Sequence, residues 1–230
     1  MSDELAYNIW RFLSEYPRRK RDGEAFQTDF ASLLDKVENY SIVARFTDEV
    51  ETASRILSPP DVLASVKSLS DTFIVFECKS GKKIDIDVAA AFFAKVHDMA
   101  HKNEIAIFRT GNPHPLRYNC TKLYRVLISA HEPSKDALGF CWGNGIPVFY
   151  PAKLPDGVVP VKVVRHRLNL FTPSDPNQEK AKQYYLEKIA ELDDKMFSEA
   201  RENPKDHREL LKDAKEVIYG VNTLINRRWV

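Results

Sequence analysis

The sequence predicts an α/β fold, a central sheet flanked by helices and followed by a C-terminal helical hairpin. Three observations point there. Two apolar, β-branched runs, 62–67 and 72–79, flank the polar break Ser68-Leu69-Ser70-Asp71 and read as a strand hairpin. The run 88–102 holds Ala89, Phe92, Phe93, Val96 and Met99 at helical spacing and leads into Ile105-Ala106-Ile107-Phe108, a strand. Beyond Phe171-Thr172-Pro173-Ser174-Asp175-Pro176 the chain turns helical and charged, with stripes Tyr185, Ile189, Leu192, Met196 and Leu211, Ala214, Ile218, Val221, Ile225 either side of Asn203-Pro204. The expected division is an α/β domain over 1–172 and a helical hairpin over 173–230, which packs back on that domain or offers a homodimer surface.

The elements follow in order. Residues 3–16 form an amphipathic helix with Leu5, Ile9, Trp10 and Leu13 on one face. The run Pro17-Arg18-Arg19-Lys20-Arg21-Asp22-Gly23 ends it, and its four consecutive cations suit phosphate contacts. A helix over 24–37 carries Phe26, Phe30, Leu33, Leu34 and Val37. Residues 41–46 read as the first core strand, and 50–57 as helix or strand. Pro59-Pro60 imposes an extended entry to the hairpin. After it, Ser80-Gly81-Lys82-Lys83 is a turn whose lysines suit a substrate phosphate, and Ile84-Asp85-Ile86-Asp87 alternates like a short strand extension. Thr110-Gly111-Asn112-Pro113-His114-Pro115 is a rigid loop that presents His114. Residues 122–129 read as a helix, with a strand as the alternative. The run 139–145 is turn-rich, and 146–150 and 158–164 read as strands around the turn Pro155-Asp156-Gly157.

The chemistry concentrates at the hairpin's open end. A hairpin centred on Leu69 sets Asp61 opposite Glu77. Glu77 and Lys79 are two apart, so they share a strand face, while Cys78 points into a core with Ile74 and Phe76. Two carboxylates can share a hard cation such as Mg²⁺. Such a cation polarises a phosphoryl oxygen and generates a hydroxide-like nucleophile. A lysine beside it steadies developing charge, or takes a water's proton if its pKa is lowered.

Pro60-Asp61 followed by Glu77-Cys78-Lys79 resembles the motif of the PD-(D/E)xK nuclease superfamily, the restriction-endonuclease-like folds. Asp193-Asp194-Lys195 and Asp213-Ala214-Lys215 match the short motif too, but lie in helical, charged segments. The resemblance implies a mixed central sheet with a right-handed crossover after the Glu-x-Lys strand. It implies that Asp61 and Glu77 bind Mg²⁺ or Mn²⁺, that the Cys78 carbonyl completes the site, and that Lys79 assists catalysis. A helix before the first core strand often donates a further acidic residue in this family, which points to Glu24, with Asp29 as the substitute. The implied activity is endonuclease cleavage, double-stranded DNA being the commonest substrate, in restriction, defence or DNA processing. An RNA endonuclease of the same fold is one alternative. A catalytically inactive module binding nucleic acid or protein is another, and an ordinary surface ion pair between Glu77 and Lys79 a third.

Composition constrains these readings only in part. The 230 residues, 43% hydrophobic, suffice for one good core. A net charge of +1 does not mark a nucleic-acid binder, but a local patch can still serve. Its candidates are the basic run 18–21, Lys82 with Lys83, and Arg165-His166-Arg167, solvated loop or strand ends being the alternative for each. Cys78, Cys120 and Cys141 are odd in number and widely spaced, which predicts buried free thiols in a reducing compartment. No membrane span or secretion signal is visible, so the expectation is an intracellular protein, cytoplasmic, with the nucleus left open. His97 and His101 have the helical spacing of a zinc pair, but Asp98 stands where a metalloprotease carries Glu, and no third ligand is near in sequence.

Overall fold

The hairpin over 62–79 forms, and the main sheet is built on it. The structure is a computed structural model describing residues 2–16, 23–81, 83–101, 103–150, 158–198 and 206–226. Helices α1 (Asp3–Glu15) and α2 (Gly23–Leu34) precede strands β1 (Tyr40–Arg45), β2 (Glu49–Glu51) and β3 (Leu57–Ser58). The hairpin is β4 (Val62–Val66) and β5 (Leu69–Lys79). Then come α3 (Ile86–Ala100), β6 (Glu104–Phe108), β7 (Leu116–Asn119), β8 (Lys122–Ser129), α4 (Lys135–Gly143) and β9 (Val148–Phe149). Helices α5 (Val158–Leu170), α6 (Pro176–Ser198) and α7 (Asp206–Asn226) follow. The chain divides into two compact units, 11–152 and 1–10 with 153–230.

The 11–152 unit holds a mixed central sheet in the order β1-β4-β5-β8-β9. Strands β1, β4 and β5 run antiparallel, while β8 lies parallel to β5 and β9 parallel to β8. Helices cover both faces. On one, Leu63, Phe73, Val75 and Leu127 share a core with Phe92, Val96 and Met99 of α3 and Ala137 and Cys141 of α4. On the other, Phe30 of α2 meets Phe76 edge-on, ring centroids 5.1 Å apart. Burying a side chain such as Phe76 contributes about 1.5–3 kcal/mol. Helix α3 forms because Ala89, Phe92, Val96 and Met99 fall on one buried stripe. Its start is Asp85, whose carboxylate accepts the Val88 N–H at 3.0 Å. That cap replaces the strand extension expected over 84–87.

Two further expectations are corrected here. Residues 122–129 form strand β8, not a helix: Val126, Leu127 and Ile128 are buried together, as a strand covered on both faces requires. Residues 139–143 of the run read as turn-rich, 139–145, belong to helix α4, which opens at Lys135. Strand 105–108 is present as β6, but it pairs with β2 and β7 in a second sheet of order β3-β2-β6-β7. The parallel neighbour of β5, reached after α3, is therefore β8.

The other unit is helical. Residues 158–164, expected as a strand, open α5. The β-branched run Val158 to Val164 suggests a strand by propensity, yet Val163, Val164 and Leu168 bury at helical spacing. Pro160 falls in the first turn, where its missing N–H costs nothing. Helices α6 and α7 pack together, as the sequence predicts, with Ile189, Leu192, Ala214, Ile218 and Val221 buried. Arg165 donates twice to Asp3, at 2.6 and 3.0 Å. Arg167 donates to Asn222 at 2.8 Å. Both arginines of the run Arg165-His166-Arg167 are thus engaged within the fold. No helix among the described residues is long and apolar enough to cross a membrane.

Candidate functional site

The register of the hairpin sets the site. Val62 pairs with Phe76, Leu63 with Val75, Ala64 with Ile74 and Ser65 with Phe73. Continued by one residue, this register places Asp61 opposite Glu77, and by a second, Pro60 opposite Cys78. Leu63, Val75, Glu77 and Lys79 then share the sheet face that α3 covers. A bulge between Ser65 and Val66 absorbs the tight connection at the far end without disturbing the open one.

Asp61 is held by the backbone. Its Oδ2 accepts the Cys78 N–H at 2.6 Å. The Lys79 carbonyl turns toward β8, accepting the Ala130 N–H at 2.8 Å. Alternate residues of a strand point their N–H and C=O to opposite neighbours, so the Cys78 carbonyl turns toward the Asp61 side. Pro60, across from it, has no N–H to offer. The proline before the aspartate thus leaves a ladder position in which a carboxylate takes the N–H and the carbonyl faces the same space.

Glu77 is buried, its side chain only 11% exposed, and is met by two ammonium groups. Lys79 Nζ lies 2.6 Å from Oε1. Lys95, from α3, lies 3.4 Å from Oε2 and donates to the Pro59 carbonyl at 2.7 Å. Two carboxylates and two ammoniums therefore balance in one half-buried space. Burial, then the charge of Glu77, raises the Asp61 carboxyl above its ordinary range, against the Cys78 N–H and both lysines. For Lys79, burial pulls downward, but the charge and hydrogen bond of Glu77, with the charge of Asp61, outweigh it and raise the ammonium above its ordinary value. Lys79 is therefore a charged donor to Glu77 in this arrangement. Burial, then Asp61 and Glu77, pushes the Cys78 thiol well up, so its side chain stays a neutral core group and only its backbone can serve a cation.

The exit of β5 is stitched to β8. Ser129, fully buried, donates from Oγ to the His131 carbonyl at 2.5 Å and accepts the His131 N–H at 3.1 Å. The His131 ring Nε2 lies 2.9 Å from the Ser80 carbonyl. On the other face α2 begins close by: a Cβ on Gly23 would lie 3.7 Å from Ser80 Oγ. Glu24 follows in the first turn of α2 and is exposed, on the helix that covers the face opposite α3. Asp29 is half-buried further along the same helix.

The structure thus brings Asp61, Glu77, Cys78 and Lys79 together. Lys83 is exposed just beyond them, while Lys82 and the run Arg18, Arg19, Lys20 and Arg21 lie outside the described residues, as does the 155–157 turn. Sequence reasoning missed Lys95. A single lysine between Phe92 and Val96 is too common a pattern to stand out. The missed groups Ser129 and His131 depend on β8 lying parallel to β5, which the sequence left open.

The other candidates fall elsewhere. His97 and His101 place their Nε2 atoms 3.0 Å apart at the end of α3. Asp98 between them accepts from the Ser54 hydroxyl at 2.9 Å and backbone N–H at 3.2 Å, so it ties down the β2–β3 connection. His114 is exposed in the β6–β7 loop, its N–H on Asn112 Oδ1 at 3.0 Å. Among the described residues, no group of three or more His, Cys, Asp and Glu side chains is arranged to hold a metal ion. Cys78, Cys120 and Cys141 are free and buried, as expected.

The donor set at the hairpin end is two carboxylates and a backbone carbonyl, all hard oxygen, which suits Mg²⁺ or Mn²⁺ and not a thiolate-seeking ion. No family model matches the chain, and no curated protein matches it. A solved structure titled as a protein of unknown function, AF1548, is similar at 15% identity and a TM-score of 0.41, over 86% of this chain and 99% of that one.

Proposed function

We propose that the chain is a metal-dependent endonuclease of the restriction-endonuclease-like type, with Asp61, Glu77, the Cys78 carbonyl and Lys79 as its site. One observation carries the reading: just beyond the Val62–Phe76 pair, Asp61 takes the Cys78 N–H at 2.6 Å within reach of the Glu77 charge, and Lys79 sits on Glu77 Oε1 at 2.6 Å. A fold-stabilising ion pair needs one carboxylate. The second adds a like charge in a desolvated place, an arrangement typical of sites that bind or react.

Asp61, Glu77 and the Cys78 carbonyl would hold the cation. Bound there, Mg²⁺ or Mn²⁺ supplies Lewis acidity at a phosphoryl oxygen and acidifies a water. The chain's own groups do the rest. The Cys78 N–H fixes which way Asp61 turns. Lys79 would act by donating hydrogen bonds to an attacking water or a non-bridging phosphate oxygen and by balancing negative charge as it develops. Double-stranded DNA is the proposed substrate, in restriction, defence or DNA processing, with RNA as the competing polymer.

The test is cleavage of plasmid, single-stranded DNA and RNA in Mg²⁺, Mn²⁺ and EDTA by the wild type, Asp61→Ala and Lys79→Ala. Metal-dependent cutting should fall about 10²–10³-fold on losing Lys79, the usual cost of one group that stabilises transition-state charge, and should vanish without Asp61. Equal cutting by all three proteins sinks the assignment. If nothing is cut and Mn²⁺ does not bind, the hairpin end is a scaffold and the chain a binding module.

A further inference from the structure

We propose that Lys95 is a positioning residue of this site: its ammonium is a fixed strut that sets the spacing of Asp61 and Glu77, whereas Lys79 is the ammonium that moves. The inference rests on the nuclease reading and adds to it a residue from a separate element. Lys95 stands on α3 between the buried Phe92 and Val96, so the helix's own packing aims it at the hairpin. Its side chain is 22% exposed, against 36% for Lys79.

The two lysines are anchored differently. Lys95 donates to a backbone carbonyl, that of Pro59, at 2.7 Å, and meets Glu77 Oε2 at 3.4 Å. An ammonium has three donors, so it can serve both partners at once. Pro59 stands two residues before Asp61, and Pro60 between them has a fixed φ. Holding the Pro59 carbonyl therefore limits where Asp61 can go. One ammonium ties the segment that carries the first carboxylate to the side chain that is the second. Lys79, by contrast, grips Glu77 Oε1 and stands two residues along the same strand; its charge acts on Asp61 as well, but its hydrogen bond does not anchor the segment that carries Asp61. When Glu77 turns an oxygen to a cation, the Lys79 contact is the one that can open without disturbing the frame, and its ammonium is then free to meet substrate.

Two physical effects predict opposite outcomes for loss of Lys95. Removing a positive charge beside a cation site tightens metal binding by simple electrostatics. Removing a strut that orients a ligand weakens it, typically 10–100-fold for groups that hold metal ligands in place. The strut dominates in this proposal, because the shorter Lys95 contact is to the backbone and not to Glu77.

The experiment is titration of the full-length protein with Mn²⁺ alone, free ion read by electron paramagnetic resonance, for the wild type, Lys95→Met, Lys95→Arg and Lys79→Met. Methionine keeps the apolar stem, and a thermal melt of each variant confirms folding. The expected result is Mn²⁺ affinity about 10-fold or more weaker in Lys95→Met, partly restored in Lys95→Arg, and unchanged or tighter in Lys79→Met. Unchanged or tighter binding by Lys95→Met overturns the strut while leaving the nuclease reading intact. If Lys95→Met does not fold, the Lys95→Arg titration decides: weakening of a few-fold at an unchanged melting temperature upholds the strut, and wild-type affinity overturns it. Absence of Mn²⁺ binding by the wild type removes the nuclease reading and this inference with it.

Discussion

At the open end of the β4–β5 hairpin, Asp61 and Glu77 share a half-buried space with Lys79 and Lys95. The α6–α7 hairpin turns Ile189, Leu192, Ala214, Ile218 and Val221 inward and leaves the Lys188–Glu191 pair in solvent. Both are antiparallel pairs of elements, and both need an apolar face to associate. Among the described residues, only the first also buries charge, and it does so where packing alone would choose Val or Leu. Buried ion pairs rarely add net stability over well-packed apolar groups, because desolvation offsets the attraction. The difference marks the β4–β5 end as an arrangement that packing alone does not favour.

Replacing Asp61 by Asn breaks that comparison most strongly. The amide keeps the shape and can still accept the Cys78 N–H, but it removes the like charge beside Glu77. Metal-dependent cleavage should fall by about 10³-fold or more, consistent with loss of a group that acts on transition-state charge. Stability should rise. Relief on the order of 1 kcal/mol corresponds to roughly 2–4 °C in melting temperature for a chain of this size. The pH dependence has a defined sign in EDTA-treated protein. Asp61's folded pKa is raised by burial and Glu77, so the folded state binds more protons than the unfolded one above the ordinary Asp range. The wild type therefore loses stability as pH rises from the unfolded Asp pKa through the raised folded one, and Asp61→Asn should lack that loss. Thermal melts across this range check it, and a variant that is less stable at every pH would mark Asp61 as structural.

The same contrast governs what the sequence disclosed. The open-end register was legible only in part. The sequence centred the hairpin on Leu69 with a break over 68–71, whereas the turn is Lys67-Ser68 with Val66 paired to Leu69. A bulge between Ser65 and Val66, which no local pattern announces, restores the expected pairing beyond it. Helices α3, α6 and α7 were legible from their stripes. The run 122–129 was not: once a strand is buried on both faces, its apolar residues lose alternation and the period no longer discriminates. With β8 uncertain, Ser129 and His131 could not be placed beside Lys79. Residues 158–164 misled in the opposite direction, since β-branched propensity is worth tenths of a kcal/mol per residue and packing of Val163, Val164 and Leu168 outweighs it. Lys95 was hidden for a third reason: its role follows from what α3 covers, and no local pattern encodes that.

A smaller effect sharpens the α6–α7 side. Gly220 lies under Tyr185, and a Cβ there would fall 2.6 Å from the tyrosine Cζ. Gly220→Ala gains about 0.8–1 kcal/mol of helix propensity but must displace the ring, and overpacking of this kind costs about 1–3 kcal/mol. The expected net is a loss of about 1 kcal/mol, seen as a fall of roughly 2–4 °C. In a Tyr185→Ala background the clash is gone and the same substitution should stabilise. Cleavage by Gly220→Ala should match the wild type below its melting point, since Gly220 belongs to the helical unit and not to the 11–152 unit that carries the site.

The smallest effect is predicted at Arg45, whose Nη2 lies 3.1 Å from Asp35 Oδ2 with the side chains 44% and 48% exposed. By distance alone this pair ranks with those around Glu77. Exposed pairs are worth about 0–1 kcal/mol, because water screens the attraction and two long side chains lose freedom to form it. Arg45→Ala should therefore shift the melting temperature by no more than about 2–4 °C, and added salt should erase even that. The Lys95→Met variant tests the contrasting environment at 3.4 Å, a longer contact made in a half-buried place. If Arg45→Ala proves as costly as Lys95→Met, and 1 M salt leaves the cost unchanged, burial is not what distinguishes the two sites. A negligible change at Arg45 beside a large one at Lys95 attributes the difference to desolvation and anchoring, since the Arg45 contact is the shorter of the two.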